Sequence, residues 1–125
     1  MPHHDTPGLP RDFLSPCVLL LLRERPTYGY DLLERIAEFG FDDTDPGGLY
    51  RILRKLETQG LVHSAWQESS QGPQRRTYEL TAHGVEILTE RAREFAAGER
   101  RVDAFLSRYV EVARSARTAS TVAGI

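Results

Sequence analysis

Cysteine, tryptophan and methionine each occur once in this chain of 125 residues. A single cysteine, Cys17, excludes an intramolecular disulfide framework and fits a cytoplasmic setting. It lies within the apolar run Cys17 to Leu22, so it reads as a core residue rather than a reactive thiol. That run falls far short of the roughly 20 apolar residues a membrane helix needs, and no signal-peptide pattern opens the chain. Histidines are scattered: His3 and His4 sit near the start, and His63 and His83 lack partners at ligand spacing, so no zinc site and no other cofactor is expected. Ser69-Ser70 has no base arranged beside it, and no glycine loop of the phosphate-cradling type is present. Enzyme chemistry is therefore not indicated.

What is present is concentrated between Asp45 and Thr81. Asp45 suits an N-cap and Pro46 the first helical position. Leu49, Ile52, Leu53 and Leu56 recur at helical spacing and define a buried stripe, and Gly60 is the stop. The opposite face carries Gly47, Arg51, Arg54 and Thr58, flanked by Tyr50 and Lys55. Gly47 and Gly48 at the helix start would let the backbone approach a phosphate. Leu61, Val62 and Trp66 then have strand character, with Thr77, Tyr78 and Leu80 as the partner strand. The Ser, Gly and Pro residues of Glu68–Arg76 mark a turn that places Arg75 and Arg76 at its exit, where arginine forks suit phosphate or a narrow minor groove. A cationic helix followed by such a hairpin describes a winged helix-turn-helix that reads DNA.

These residues, with their neighbours, resemble the PadR family of winged-helix transcriptional regulators. The resemblance runs from about Phe13 to Gly84. It is carried by Leu14-Ser15-Pro16-Cys17-Val18-Leu19-Leu20-Leu21-Leu22, Thr27-Tyr28-Gly29-Tyr30-Asp31-Leu32, Gly48-Leu49-Tyr50, Leu53-Arg54-Lys55-Leu56-Glu57 and Gly60-Leu61-Val62. Trp66, Gly72-Pro73, Arg75-Arg76, Tyr78, Leu80-Thr81 and Gly84 complete it. Arg51 stands where the family often has proline, and a cation there suits DNA contact. Gly48 stands where Thr or Ser is more usual, which leaves no hydroxyl for a phosphate at that position. The expected DNA-binding residues are Tyr28, Gly47, Gly48, Tyr50, Arg51, Arg54, Lys55, Thr58, Arg75 and Arg76.

The net charge of −2 argues superficially against nucleic acid. Distribution answers this better than the total. Asp31, Glu34, Glu38, Asp42, Asp43 and Asp45 make the second helix and the following turn acidic, while the reading face and wing are basic. An acidic body with a localised basic surface steers DNA to one side.

The fold class expected is mainly α with a small β-hairpin (α+β), a winged helix-turn-helix followed by a long C-terminal dimerisation helix. Its parts are a flexible N-terminal arm (1–10), the DNA-binding domain (11–81), the dimerisation helix (82–114) and a flexible tail (115–125). Within the domain, helices are expected from Asp12 to Glu24 and from Tyr28 to Phe39, with a turn from Phe41 to Thr44. In the long helix, Leu88, Phe95, Val102 and Tyr109 recur every seven residues, with Phe105 and Leu106 between them. So long a stripe has little domain to pack against, and burial against the same helix of a second subunit is the physical solution. The dimer interface is thus expected at Leu88, Phe95, Val102, Phe105, Leu106 and Tyr109. The resemblance also implies that a small aromatic or hydrophobic effector releases DNA in some members; Trp66, Phe95, Phe105 and Tyr109 are the aromatics available. The function expected is a sequence-specific regulator, a repressor binding a pseudo-palindromic operator of double-stranded DNA as a homodimer. The alternative is a winged-helix protein–protein interaction module, which need not keep cations on both helix and wing.

Overall fold

The computed structural model describes residues 8–69 and 72–123, with only the backbone of residues 68, 69, 72–74 and 119–123. Two compact units divide the chain, Met1–Arg91 and Ala92–Ile125.

The first unit begins with α1, Leu14–Glu24, which is buried on nearly all sides because its sequence is apolar through every turn. Arg25 is extended and Pro26 follows, which ends the helix. A short strand, β1 (Thr27–Tyr28), leads into α2 (Gly29–Arg35), and a 3-10 turn (Ile36–Phe39) closes at Gly40 with a left-handed φ of 86°. The sequence reading runs one helix from Tyr28 to Phe39. The structure divides it, since Thr27 and Tyr28 pair with Tyr78 and Thr77 at the sheet edge. Arg35 ties this segment to α1. Its side chain is only 13% exposed and donates to the Leu21 carbonyl and to the Glu24 and Asp31 carboxylates. Asp31 in turn accepts from Thr27 Oγ1 at 2.8 Å.

Next comes α3, Pro46–Thr58, with Asp45 as its N-cap. Its end is fixed by Gly60 in the left-handed region, where Gly60 N–H donates to the Glu57 carbonyl and Leu61 N–H to the Leu56 carbonyl. This paired pattern terminates a helix by satisfying its last carbonyls. Strands β2 (Val62–Ser69) and β3 (Gly72–Leu80) then form a hairpin, giving an antiparallel three-stranded sheet in the order β1-β3-β2. Leu14, Val18, Leu19, Leu21, Leu32, Ile36, Leu49, Leu53 and Leu56 fill the core, with Val62 and Tyr78 from the sheet. Cys17 lies in this core, and burial pushes its thiol up to about 11, which matches an inert side chain.

Finally, α4 runs from Ala82 to Ala123. Thr81 caps it, accepting from Gly84 N–H at 2.9 Å while donating to the Gly60 carbonyl at 2.7 Å. A Cβ at Gly84 would overlap the Leu61 carbonyl oxygen, so the first turn of α4 sits directly on the turn that joins α3 to β2. Ile87 and Leu88 pack against the winged core. Leu88, expected in a dimer seam, is partly buried against its own domain. The second unit consists of the later part of α4, and there Val102, Phe105, Leu106, Tyr109, Val110 and Val112 are exposed, Phe105 by 67%. The Phe105 and Tyr109 rings stack, one turn apart, with centroids 6.5 Å apart. Of the segment 115–125, expected as a flexible tail, the helix takes in the residues as far as Ala123, and residues 124 and 125 lie outside the described residues. Of the proposed N-terminal arm, residues 1–7 lie outside the described residues.

Candidate nucleic-acid interface

The reading face of α3 follows from its buried one. Because Leu49, Leu53 and Leu56 are fully buried, the helix turns Gly47, Arg51, Arg54 and Thr58 outward, and all of these are exposed. Among the described residues neither Arg51 nor Arg54 holds an ion pair. Both guanidinium groups are free to meet an anion or the edge of a base.

The start of α3 behaves differently from the sequence expectation. Asp45 Oδ1 accepts from Gly48 N–H at 2.9 Å, and a Cβ at residue 48 would sit 2.7 Å from that oxygen. Gly48 is buried, and its donor is already taken by a carboxylate. Close approach of a phosphate to Gly48 is thus replaced by an internal anion, and only Gly47 stays open to the outside. The absence of a side chain at 48 is explained by the cap itself.

Lys55, also expected at the DNA, is held in an ion pair within the domain. Its Nζ lies 2.9 Å from Asp12 Oδ2, on the flank of α3 that faces the start of α1. Asp12 adopts a left-handed φ of 54° and accepts a second bond from Ser15 Oγ at 2.9 Å, so it is held in place as the partner of Lys55.

The wing is more extended than the sequence suggests. Arg75 and Arg76 are not at the exit of a wide turn. They lie within β3, opposite Gln67 and Trp66 respectively. Neighbouring residues of a strand point to opposite faces, and the two arginines accordingly have different partners. The Arg75 guanidinium lies over the Tyr28 ring, 4.8 Å from its centroid. That of Arg76 lies over Trp66 at 5.3 Å and within 4.0 Å of Glu57 Oε1. Stacking of this kind orders an arginine while leaving its edge donors available.

These pieces enclose a groove of about 840 Å³ between α3 and the sheet, lined by Tyr28, Gly29, Tyr30, Tyr50, Arg54, Glu57, Trp66, Arg75, Arg76 and Tyr78. Burial pushes the Tyr78 hydroxyl above its usual range against the opposing charge of Arg76, so it is a neutral hydrogen-bonding group. Tyr28, Tyr50, Arg54, Arg75 and Arg76, five of the expected DNA-binding residues, line this groove. Tyr30, Trp66 and Glu57 are additions the sequence reading did not make. Trp66 is 60% exposed, and an exposed tryptophan beside an arginine is the signal that could have marked it. Three arginines against one carboxylate give the groove a positive character despite the acidic total.

Among the described residues no three His, Cys, Asp or Glu side chains gather as a metal site, and no helix is long and apolar enough to cross a membrane.

The chain is similar to several known proteins. It is 33% identical to a conserved protein of unknown function, described as a potential transcriptional factor, whose crystal structure matches 85% of this chain and 98% of its own with a TM-score of 0.72. It is 28% identical to a PadR-like transcriptional regulator from Bacillus cereus, over 74% of this chain and 90% of that one, with a TM-score of 0.68. An uncharacterised protein of Lysinibacillus sphaericus is 26% identical over 77% of this chain and 90% of its own length. The model of the transcriptional regulator PadR-like family matches residues 18–90, which run from within α1 through the whole sheet to the first turns of α4. On that match, and on a winged helix-turn-helix carried by the same residues, the chain belongs to the transcriptional regulator PadR-like family.

Proposed function

We propose that the chain is a transcriptional repressor that binds a pseudo-palindromic operator as a homodimer in the cytoplasm. Family membership gives the broader role, that of a DNA-binding regulator rather than an enzyme. The observation that supports the finer reading most is the pairing state of the cations. Arg51 and Arg54 on the exposed face of α3 are free of ion pairs among the described residues, while Lys55 is held by Asp12. A helix in the major groove needs free donors for base edges, with arginine at guanine the commonest specific contact. Arg75 and Arg76, ordered on Tyr28 and Trp66, flank that helix and suit the adjacent backbone.

Dimerisation is supported by the exposed apolar residues of α4. Val102, Phe105, Leu106 and Tyr109 have no place in the winged core, and a second copy of the helix would cover them. Two reading helices would then meet successive major grooves roughly 34 Å apart. The stacked Phe105 and Tyr109 rings offer a surface for a small aromatic or hydrophobic effector that releases the operator.

Selection of bound sequences from a random duplex pool, followed by salt titration on the selected site and on mixed-sequence DNA, tests this reading. The expected result is an enriched inverted repeat and affinity that falls steeply with salt. Failure to enrich any sequence, with no salt-dependent binding, would favour a protein-interaction module instead.

A further inference from the structure

One acidic side chain stands among the arginines of the groove. Glu57 lies on the flank of α3 that faces the sheet, and its side chain is 35% exposed. Its Oε2 accepts twice from Ser64, from the hydroxyl at 2.7 Å and from the backbone N–H at 3.3 Å. The carboxylate is thereby fixed, and its other oxygen, Oε1, is left 4.0 Å from Arg76 Nη2. Arg76 is fixed from its other side by the Trp66 ring and is 39% exposed. A cation meant only for DNA would be better placed outside ion-pair distance of any carboxylate, as Arg51 and Arg54 are among the described residues.

We propose that Glu57 is an internal counter-anion for Arg76, standing where a DNA phosphate would stand, and that DNA binding exchanges carboxylate for phosphate at this arginine. This rests on the reading of the groove as a DNA surface. Because phosphate contacts carry no sequence information, the pairing lowers affinity for every sequence and holds down retention on DNA outside the operator. Its size is bounded by its exposure. Partly exposed ion pairs are worth at most about fivefold in an equilibrium, so the effect is a modest brake rather than a switch.

The test compares the full-length wild type with Glu57→Gln, Arg76→Ala and the double variant, binding labelled mixed-sequence duplex across a salt series. In Glu57→Gln the amide oxygen accepts both Ser64 bonds and an uncharged group faces Arg76, so the tie between α3 and β2 is kept. Glu57→Gln should bind about threefold to fivefold more tightly at low salt, with a salt slope steeper by about 0.9. Arg76→Ala should cost more in the Glu57→Gln background than in the wild type, by about that same factor. No tightening, or effects of the two substitutions that simply multiply, overturns the proposal while leaving DNA binding intact. Wild-type binding that lacks salt dependence overturns the DNA reading itself and this proposal with it. Should circular dichroism show Glu57→Gln unfolded, Glu57→Asp takes its place. It draws the carboxylate back toward α3, and mixed-sequence binding no tighter than wild type overturns the proposal equally.

Discussion

Gly29 and Tyr50 share one contact. A Cβ added at Gly29 would lie 2.6 Å from the Tyr50 hydroxyl oxygen and 2.8 Å from its ring carbons. The Tyr-Gly-Tyr at the start of α2 and the Gly-Leu-Tyr near the start of α3 are thus two sides of a single packing. Their occurrence together in the sequence has this steric cause. The contact sets how closely the reading helix approaches the helix before it, and it places the Tyr50 ring at the edge of the groove.

Gly29→Ala should therefore push the Tyr50 ring aside and, because that ring is 42% exposed and has room to move, cost at most about 1 kcal/mol, the low end for overpacking. Tyr50→Ala in the same chain should remove most of that cost, because the clash is gone. A double-mutant cycle in urea measures this. Equal effects of Gly29→Ala with and without the Tyr50 ring would refute the contact as its cause.

Arg51→Ala and Arg54→Ala should leave thermal unfolding unchanged, since both side chains are exposed and, among the described residues, outside any ion pair. Each should reduce discrimination between the selected operator and mixed DNA by roughly 1–3 kcal/mol. Arg75→Ala should instead weaken binding to all sequences alike and flatten the salt slope by about one unit. Titrations on both DNAs separate the two behaviours, and unchanged operator affinity in both α3 variants would remove this face from DNA reading.

Much of this is legible in the sequence. The bounds of α3, its Asp45 cap and its Gly60 stop were legible because they rest on local chemistry, a side-chain oxygen near a helix start and a left-handed residue at its end. The wing misled because Ser, Gly and Pro suggest a broad loop. The cross-strand pairing that carries Arg75 and Arg76 into β3 depends on residues of β2. The strand β1 could not be seen, being two residues whose pairing lies about fifty positions away. Seven-residue spacing is blind to the difference between Leu88, which is partly buried against its own domain, and Phe105, which is exposed. The partners of Lys55 and Arg76 are tertiary facts, and no spacing rule gives them.

Phe105→Glu combined with Leu106→Glu should give a folded monomer with greatly reduced operator affinity. Both residues are exposed on α4, so the substitutions leave the winged core untouched but would bury unpaired charge in a seam between copies. Light scattering and circular dichroism read the two halves of this expectation. A chain truncated after Ala97 that stayed dimeric would move the interface elsewhere, most simply to α1, where Leu20 is exposed.

Acid should loosen the joint between α1 and α2. Desolvation pushes the Asp31 carboxyl up, but hydrogen bonds from Thr27 and Arg35 and the charges of Arg25 and Arg35 outweigh it and hold the group below the usual carboxylate range. A carboxyl lowered in the folded state adds stability above its unfolded pKa of about 3.9, and that stability is lost as pH falls through the folded-state value. Asp31→Asn should thus lower the melting temperature at neutral pH, with the difference from wild type shrinking below about pH 4. A difference that stayed constant with pH would show that the hydrogen bonds matter and the charge does not.

Trp66 is the only tryptophan in the chain, and it lies open in the groove beneath the Arg76 guanidinium. Its emission is consequently a built-in reporter of that one place. Anything that displaces Arg76 or shields the indole from water should alter the intensity or colour of the light, without a label and without altering the protein. Optical spectroscopy can thus watch this groove alone, undisturbed by an indole anywhere else in the chain.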